Sequence, residues 1–392
     1  MRADKIFSVY SVFVALALGV FATSYIPHQR GILGLTNGQI FLIEAYYSLT
    51  LLLCEVPTGF LADRYGRVRS LLCGTALWAF GMGLVFWVRS FPVEAFLFIV
   101  AGVGNACMTG ADEAWFKDSM GAESRDAEYE VAVSRVTVYR GAALWFGGIL
   151  GVLCLVKSPG SQWLLAAAFI VCSGLVAFFW MRGRGEVQAQ HRLPELQALR
   201  QGFEVLRRVP ALRWAMAAGV LFGLYWVVQL QWAAVSFERD GVRWFLLTWT
   251  LSALGFSLGG YLAQRFLGKP GASILLGLAL LFVVMLALPF MGPWFMPLML
   301  FMWRCSRGLF DSALTVFVQN RIQSAYRATY GSLQSLVVRM GVFLLFLLIG
   351  WWSDIPDYLN AVRYTYLLSA AILFVGGSIL FLWFLRRRAQ FS

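Results

Sequence analysis

Two long apolar runs of this chain carry acids and bases in helical register. In residues 38–60, Glu44, Ser48 and Glu55 stand at i, i+4 and i+11, on one stripe of a helix. In residues 293–318, Arg304, Arg307 and Asp311 stand at i, i+3 and i+7, again on one face. A charge at mid-span costs roughly 2.5–3.5 kcal/mol to insert into a bilayer, so each should be paired or put to use. The chemistry open to them is ion binding rather than bond making. A carboxyl held away from water can trade its charge for a proton, and Glu44 is the deeper candidate, Glu55 the shallower. An arginine at mid-span can meet an anionic or carboxylate-bearing solute. Arg304 is the best placed, about eleven residues from the outer end of its run at about 1.5 Å per residue. If Asp311 takes Arg307 or Arg339, Arg304 keeps no obvious partner. Tyr25, Tyr46, Tyr47, Trp226, Gln229, Trp303 and Gln334 could line the same cavity, and Arg140 and Arg339 could add to its positive charge.

Other charges read as structural. Asp112 and Glu113 lie near the inner end of the run 93–115, within reach of Arg135 or Arg140, and Asp311 with Arg339 is the matching pair later in the chain. Asp118, Glu123, Asp126, Glu128 and Glu130 read as a solvated acidic loop. Gly255-Phe-Ser-Leu-Gly259 matches a nucleophile-elbow pattern, but it lies inside an apolar helix. Both histidines, His28 and His191, are expected in loops, so no base accompanies that serine. The glycines there, with Gly147/Gly151 and Gly219/Gly223, suit close helix contacts instead. The six cysteines fall inside apolar runs without metal-ligand spacing. No enzyme, metal site, phosphate-binding loop or cofactor is expected.

The elements that position these residues follow from composition. Of 392 residues 60% are hydrophobic and 13% charged, which needs an apolar solvent. Twelve runs are long enough to span a bilayer: 6–27, 38–60, 70–89, 93–115, 131–156, 161–181, 211–234, 244–265, 271–290, 293–318, 329–352 and 362–385. Such runs must be helical, because each backbone amide has to be satisfied within its own segment. The first is expected to be a retained span rather than a cleaved signal. The net charge of +12 is spread unevenly. Arg30, Arg89, Lys157, Arg239, Arg243 and Arg363 fall in alternate loops, and most other bases fall on the opposite side. That asymmetry puts both termini in the cytoplasm and argues for a lipid partner rather than nucleic acid.

The polar stretch 182–210 divides the spans six and six. Leu196, Leu199, Phe203 and Leu206 recur at helical spacing, with Arg200, Glu204, Arg207 and Arg208 opposite, as in a surface-lying amphipathic helix. The expected organisation is a bundle over 1–185, a cytoplasmic amphipathic linker over 186–210 and a second bundle over 211–392. The halves look like diverged copies. Gly59–Arg67 matches Gly260–Lys269, Asp112 matches Asp311 and Arg140 matches Arg339, all at an offset near 200 residues. Parallel repeats of this kind place a solute site near the midplane between the halves.

Gly59-x-x-x-Asp63-Arg64-x-Gly66-Arg67, between spans two and three, resembles the signature loop of the major facilitator superfamily. Val68 stands where a second base is common. Glu55-Val-Pro-Thr-Gly-Phe-Leu-Ala-Asp-Arg64 and the later Arg327-Ala-Thr329 resemble prokaryotic efflux members. Gly141, Gly147, Gly148 and Gly151 are similar to the glycine-rich antiporter motif, without its usual proline. The resemblance implies an all-α integral membrane fold of twelve transmembrane helices in two pseudo-symmetric six-helix bundles, usually a monomer. It implies a secondary transporter working by alternating access in the inner membrane, often proton-coupled, here moving drugs or metabolites outward. Asp63 would then sit against the start of span eleven as a gate, with Gly59 and Gly66 shaping the turn and Arg64 and Arg67 holding it in the cytoplasm. A carrier of an anionic metabolite and a non-transporting membrane receptor remain as alternatives.

Overall fold

The structure, a computed structural model, describes residues 2–121, 126–183, 204, 206–265, 269–322, 327–355 and 357–386. Its elements are helices: α1 (Ala3–Gly31), α2 (Asn37–Tyr65), α3 (Arg67–Leu84), α4 (Phe91–Met108), α5 (Ala111–Gly121), α6 (Asp126–Lys157) and α7 (Ser161–Val176), then α8 (Pro210–Phe222), α9 (Tyr225–Asp240), α10 (Val242–Arg265), α11 (Pro270–Ala287), α12 (Met296–Gln319), α13 (Arg327–Trp352) and α14 (Tyr358–Arg386). Among the described residues, ten helical segments are long and apolar enough to cross a membrane. With α2 and α12, which carry the acid and base stripes, they make the twelve spans of an all-α membrane fold.

The chain folds as two compact units. One comprises Met1–Leu35 and Ile43–Arg192, the other Thr36–Leu42 and Leu193–Ser392. The first turns of α2 therefore belong with the second unit. There the buried Asn37 donates its amide to Ser353 Oγ at 2.7 Å and to Thr365 Oγ1 at 3.3 Å. Its Oδ1 accepts from Gln231 at 3.1 Å. Of the amphipathic stretch expected over 186–210, most lies outside the described residues. Leu206 and Val209 pack on a cluster of Leu212, Met216, Ile322, Tyr330 and Leu333.

The glycine pairs do what their spacing suggests. A Cβ on Gly147 would strike the Leu16 carbonyl, and one on Gly151 the Val20 carbonyl, so α6 lies backbone to backbone on α1. In the second unit Gly255 and Gly259 press in the same way on the Phe301 and Cys305 carbonyls, bringing α10 onto α12. In a bilayer this is where helix association finds its van der Waals contact.

Two features depart from the sequence reading. The fourth span breaks after Met108, where Gly110 takes φ +81°, and the chain restarts as α5. Asp112 and Glu113 thus stand in the first turn of a separate helix rather than at the end of a continuous one. His28, expected in a loop, is inside α1 and 1% exposed, because α1 continues through Pro27 to Gly31.

Candidate functional site

In the first unit the site is built on α1, α2 and the start of α4. Phe21 and Tyr25 stack on α1 with ring centroids 4.1 Å apart, which fixes the tyrosine ring. The Tyr25 hydroxyl lies beside the Glu44 carboxyl of α2, close enough to interact with it, and Tyr25 is only 3% exposed. Tyr25 is therefore buried next to the carboxyl, where the sequence suggested a cavity-lining residue. Glu44, Tyr46, Tyr47 and Ser48 are half-buried, and Asn105 of α4 donates to the Tyr47 hydroxyl at 2.9 Å. Glu55, eleven residues on, is half-buried as well. Among the described residues Glu44 has no ion-pair partner.

One turn further along α1 lies a pair that sequence reasoning missed. Gln29 donates its side-chain amide to Glu94 of α4 at 2.8 Å, and both residues are 0% exposed. Glu94 follows Ser90-Phe-Pro, so it reads as an ordinary first-turn acid at the membrane edge, and Gln29, 65 residues away, is invisible to any local pattern. Buried carboxyl groups need partners.

Four other described acids of this unit, Asp4, Asp112, Glu113 and Asp118, lie beside cations. Arg140 lies 3.4 Å from Asp112 and 3.9 Å from Glu113, as expected of a structural pair. Its guanidinium also sits 5.4 Å from the centre of the Phe7 ring. Arg135 goes elsewhere, to Asp4 at 3.7 Å. Asp118 is not a solvated loop acid: it meets Arg67 at 2.6 Å, with both side chains mostly buried. Of the signature loop, Gly66 makes the turn between α2 and α3 at φ +99°. Gly59 is inside α2, six residues before its end, so the turn expected of it is made by Gly66 alone among the described residues. Arg64 is exposed beside the Tyr65 ring. The side chains of Asp63 and of Arg327–Thr329, which the resemblance brings together, lie outside the described residues.

In the second unit α12 presents Arg304 and Arg307 to an aromatic wall. Trp303 stacks on Tyr225 at 4.5 Å and donates its indole N–H to the Tyr225 carbonyl at 3.2 Å. Trp303 is thus wholly buried packing, not cavity lining. Arg304 lies 4.7 Å from the Trp303 ring centre and 5.8 Å from that of Trp249, and its Nη2 donates to Gln229 Oε1 at 3.4 Å. Its buried Nε has no acceptor, and among the described residues no carboxylate pairs with it. Arg307 lies about as close to Tyr225 and Trp226, and donates to Asp311 at 2.8 Å. Of the two arginines offered to Asp311 by the sequence, Arg307 rather than Arg339 is the one that meets it. Asp311 uses the arginine one turn back on its own helix, which needs no second element, and Arg339 Nε donates to Ser335 at 3.3 Å. Trp226 is 41% exposed and Gln229 8%, so the indole is open and the amide is mostly enclosed. Gln334 faces Gly219 of α8.

Membrane acids and bases thus fall into two groups, cation-locked pairs and groups held by neutral amides, hydroxyls or rings. The second group can change its charge or accept a charged solute without leaving an opposite charge stranded. That suits a machine that binds and releases.

The sequence pattern of the Major Facilitator Superfamily matches residues 7–345. An uncharacterized MFS-type transporter of Methanocaldococcus jannaschii is 27% identical over 150 residues; the match spans 38% of this chain and 36% of that relative's length. Among solved structures, the nucleoside transporter NupG superposes with a TM-score of 0.84 at 13% identity, covering 98% of this chain and 99% of the other. A point mutant of the same transporter gives 0.84 at 12% identity, covering 100% of each chain. A bacterial homolog of the human lysosomal transporter Spinster, inward-facing and unoccupied, gives 0.73 at 15% identity, covering 97% of this chain and 96% of the other. Fold, spans and family pattern agree: the chain belongs to the Major Facilitator Superfamily and is a multi-pass membrane transporter, not an enzyme.

Proposed function

We propose that this transporter exports a small molecule, a drug or metabolite, in exchange for protons, by alternating access across the inner membrane. The observation that carries the reading is the Glu44–Tyr25 contact. A half-buried carboxyl inside a span lies beside a neutral hydroxyl, and no cation pairs with it among the described residues. A phenol can donate to a carboxylate or accept from a carboxylic acid, so the contact survives a change of protonation. The outward direction rests on the likeness of Glu55–Arg64 to efflux members. Both termini are cytoplasmic in this reading, the protein acts as a monomer, and the signature loop gates the cycle through Asp63. Asp63→Asn should then leave a folded protein with strongly reduced transport; normal transport by that variant removes the loop from the gate.

A second reading is favoured by Arg304, whose buried Nε lacks an acceptor beside Gln229. An anionic or carboxylate-bearing metabolite would supply one. NupG is a nucleoside transporter, and an uncharged nucleoside with ring and carbonyl acceptors would also suit this amide and guanidinium.

Thermal stabilisation of the detergent-purified protein against matched panels of lipophilic cations, organic anions and nucleosides separates the readings. Stabilisation by cations alone supports drug export. Stabilisation by anions or nucleosides alone, lost in Arg304→Ala, supports the second reading and overturns the first. Binding without flux in liposomes would make the protein a receptor.

A further inference from the structure

Coupling at Glu44 leaves a second carboxyl of the same unit without a task. Glu94 is 0% exposed, and its Oε2 has no partner among the described residues. Among the described residues its one side-chain hydrogen bond comes from Gln29, which stands four residues after Tyr25, the neighbour of Glu44. Residues at i and i+4 are neighbours on a helix face, about 6 Å apart. The residues beside the two carboxyls therefore stack on α1, and Glu94 is within electrostatic reach of Glu44.

The groups around Glu94 decide what it can do. From α1 comes Gln29, which touches it, and from α2 comes Glu44, within electrostatic reach. His28 packs edge-on against Trp163 of α7 at 5.6 Å, and Gln162 beside it donates nothing to Glu94 in the described contacts. Arg89, just before α4, donates to the Phe86 and Val88 carbonyls at 3.1 and 2.6 Å. A carboxylate near a helix N-terminus gains a modest stabilisation. An unpaired buried charge costs several times that, so the start of α4 does not hold a permanent charge there by itself.

Gln29 is a partner for both forms of the acid. Its Nε2 donates to a carboxylate, and its Oε1, which is buried and unpartnered, can accept from a carboxylic acid after a small rotation. Tyr25 can serve Glu44 in the same two ways. Asp112, Asp118 and Asp311 are instead held by Arg140, Arg67 and Arg307, which favour one charge state only. We propose that Glu94 is a second proton-carrying carboxyl, working in series with Glu44 along the Tyr25–Gln29 face of α1. One proton leaves a Glu94 oxygen and joins a Glu44 oxygen, turning an acid–carboxylate pair into the reverse pair with nothing else consumed. The inference rests on proton coupling at Glu44, and Gln29 is a positioning residue.

Infrared difference titration of the full chain in lipid vesicles, without substrate, reads carboxylic-acid C=O signals directly. Wild type should show two titrating acid signals. Glu94→Gln should lose one and move the midpoint of the other, and Glu44→Gln should do the converse. Should Glu94→Gln fold poorly, Glu94→Asp keeps the acid on a shorter arm and should keep both signals with moved midpoints. If Glu94→Gln and Glu94→Asp both titrate as wild type while Glu44→Gln loses a signal, Glu94 is not a proton carrier and coupling at Glu44 stands. If Glu44→Gln also titrates as wild type, coupling at Glu44 falls too.

Discussion

Gln29 donates its side-chain amide to Glu94 across 2.8 Å, and neither residue has any exposed surface. Arg140 stands 3.4 Å from Asp112 in the same unit. The two acids differ in what holds them, a neutral amide in one case and a fixed cation in the other. On the proposed reading, that difference separates acids that change charge from acids that brace helices.

The bracing pairs should behave as pairs. Arg140→Leu leaves Asp112 without its cation and should lower stability by about 1–3 kcal/mol. Adding Asp112→Asn should recover most of that loss. Thermal unfolding of the two single variants and the double variant in detergent closes the cycle, and strictly additive losses would mean that the pair contributes no coupling.

Arg67 and Asp118 connect the signature turn to α5 at 2.6 Å. Arg67→Ala and Asp118→Asn should each slow transport of whichever compound stabilises the protein, and the double variant should be no slower than either. If Asp118→Asn transports normally, Arg67 acts without this partner.

Backbone contact makes some glycines irreplaceable. Gly259→Ala would push a methyl into the Cys305 carbonyl, whereas Gly377→Ala on α14 meets nothing within 4 Å. Overpacking of this kind costs about 1–3 kcal/mol. Thermal unfolding should therefore show a clear drop for Gly259→Ala and none for Gly377→Ala. Equal midpoints would mean that α10 and α12 are less closely packed than described.

Arg304 and Arg307 are one turn apart, but among the described residues only Arg307 has a carboxylate, at 2.8 Å. Arg304→Ala should abolish stabilisation by any anion or nucleoside that binds, with little effect on folding. Arg307→Ala should reduce folding stability, because it strands Asp311. If the ligand effect follows Arg307 instead, the recognition group has been misassigned.

Much of this was legible in the residues because its causes are local. Apolar run length gave the twelve spans, i, i+4 spacing gave the glycine contacts, and helical register gave the Glu44 and Arg304 stripes. Asp112 with Arg140 was also readable, since both ends carry charge in adjacent spans. What escaped depends on distant partners or on backbone breaks. Gln29 and Glu94 meet across 65 positions, and a glutamine gives no charge signal to pair with. His28 was misplaced because a proline usually ends a helix, whereas α1 runs on past Pro27. Asp311 matched Arg339 by repeat arithmetic, yet a nearer arginine on its own helix took the bond.

Proton coupling at Glu44 is the central claim. Its most direct test is flux into proteoliposomes bearing an imposed pH gradient, using a compound that the thermal panel identifies, for wild type and Glu44→Gln. Wild type should concentrate the compound against its gradient, and Glu44→Gln should only equilibrate it. Concentration by Glu44→Gln to the wild-type level, or a wild type indifferent to the pH gradient, would contradict the account.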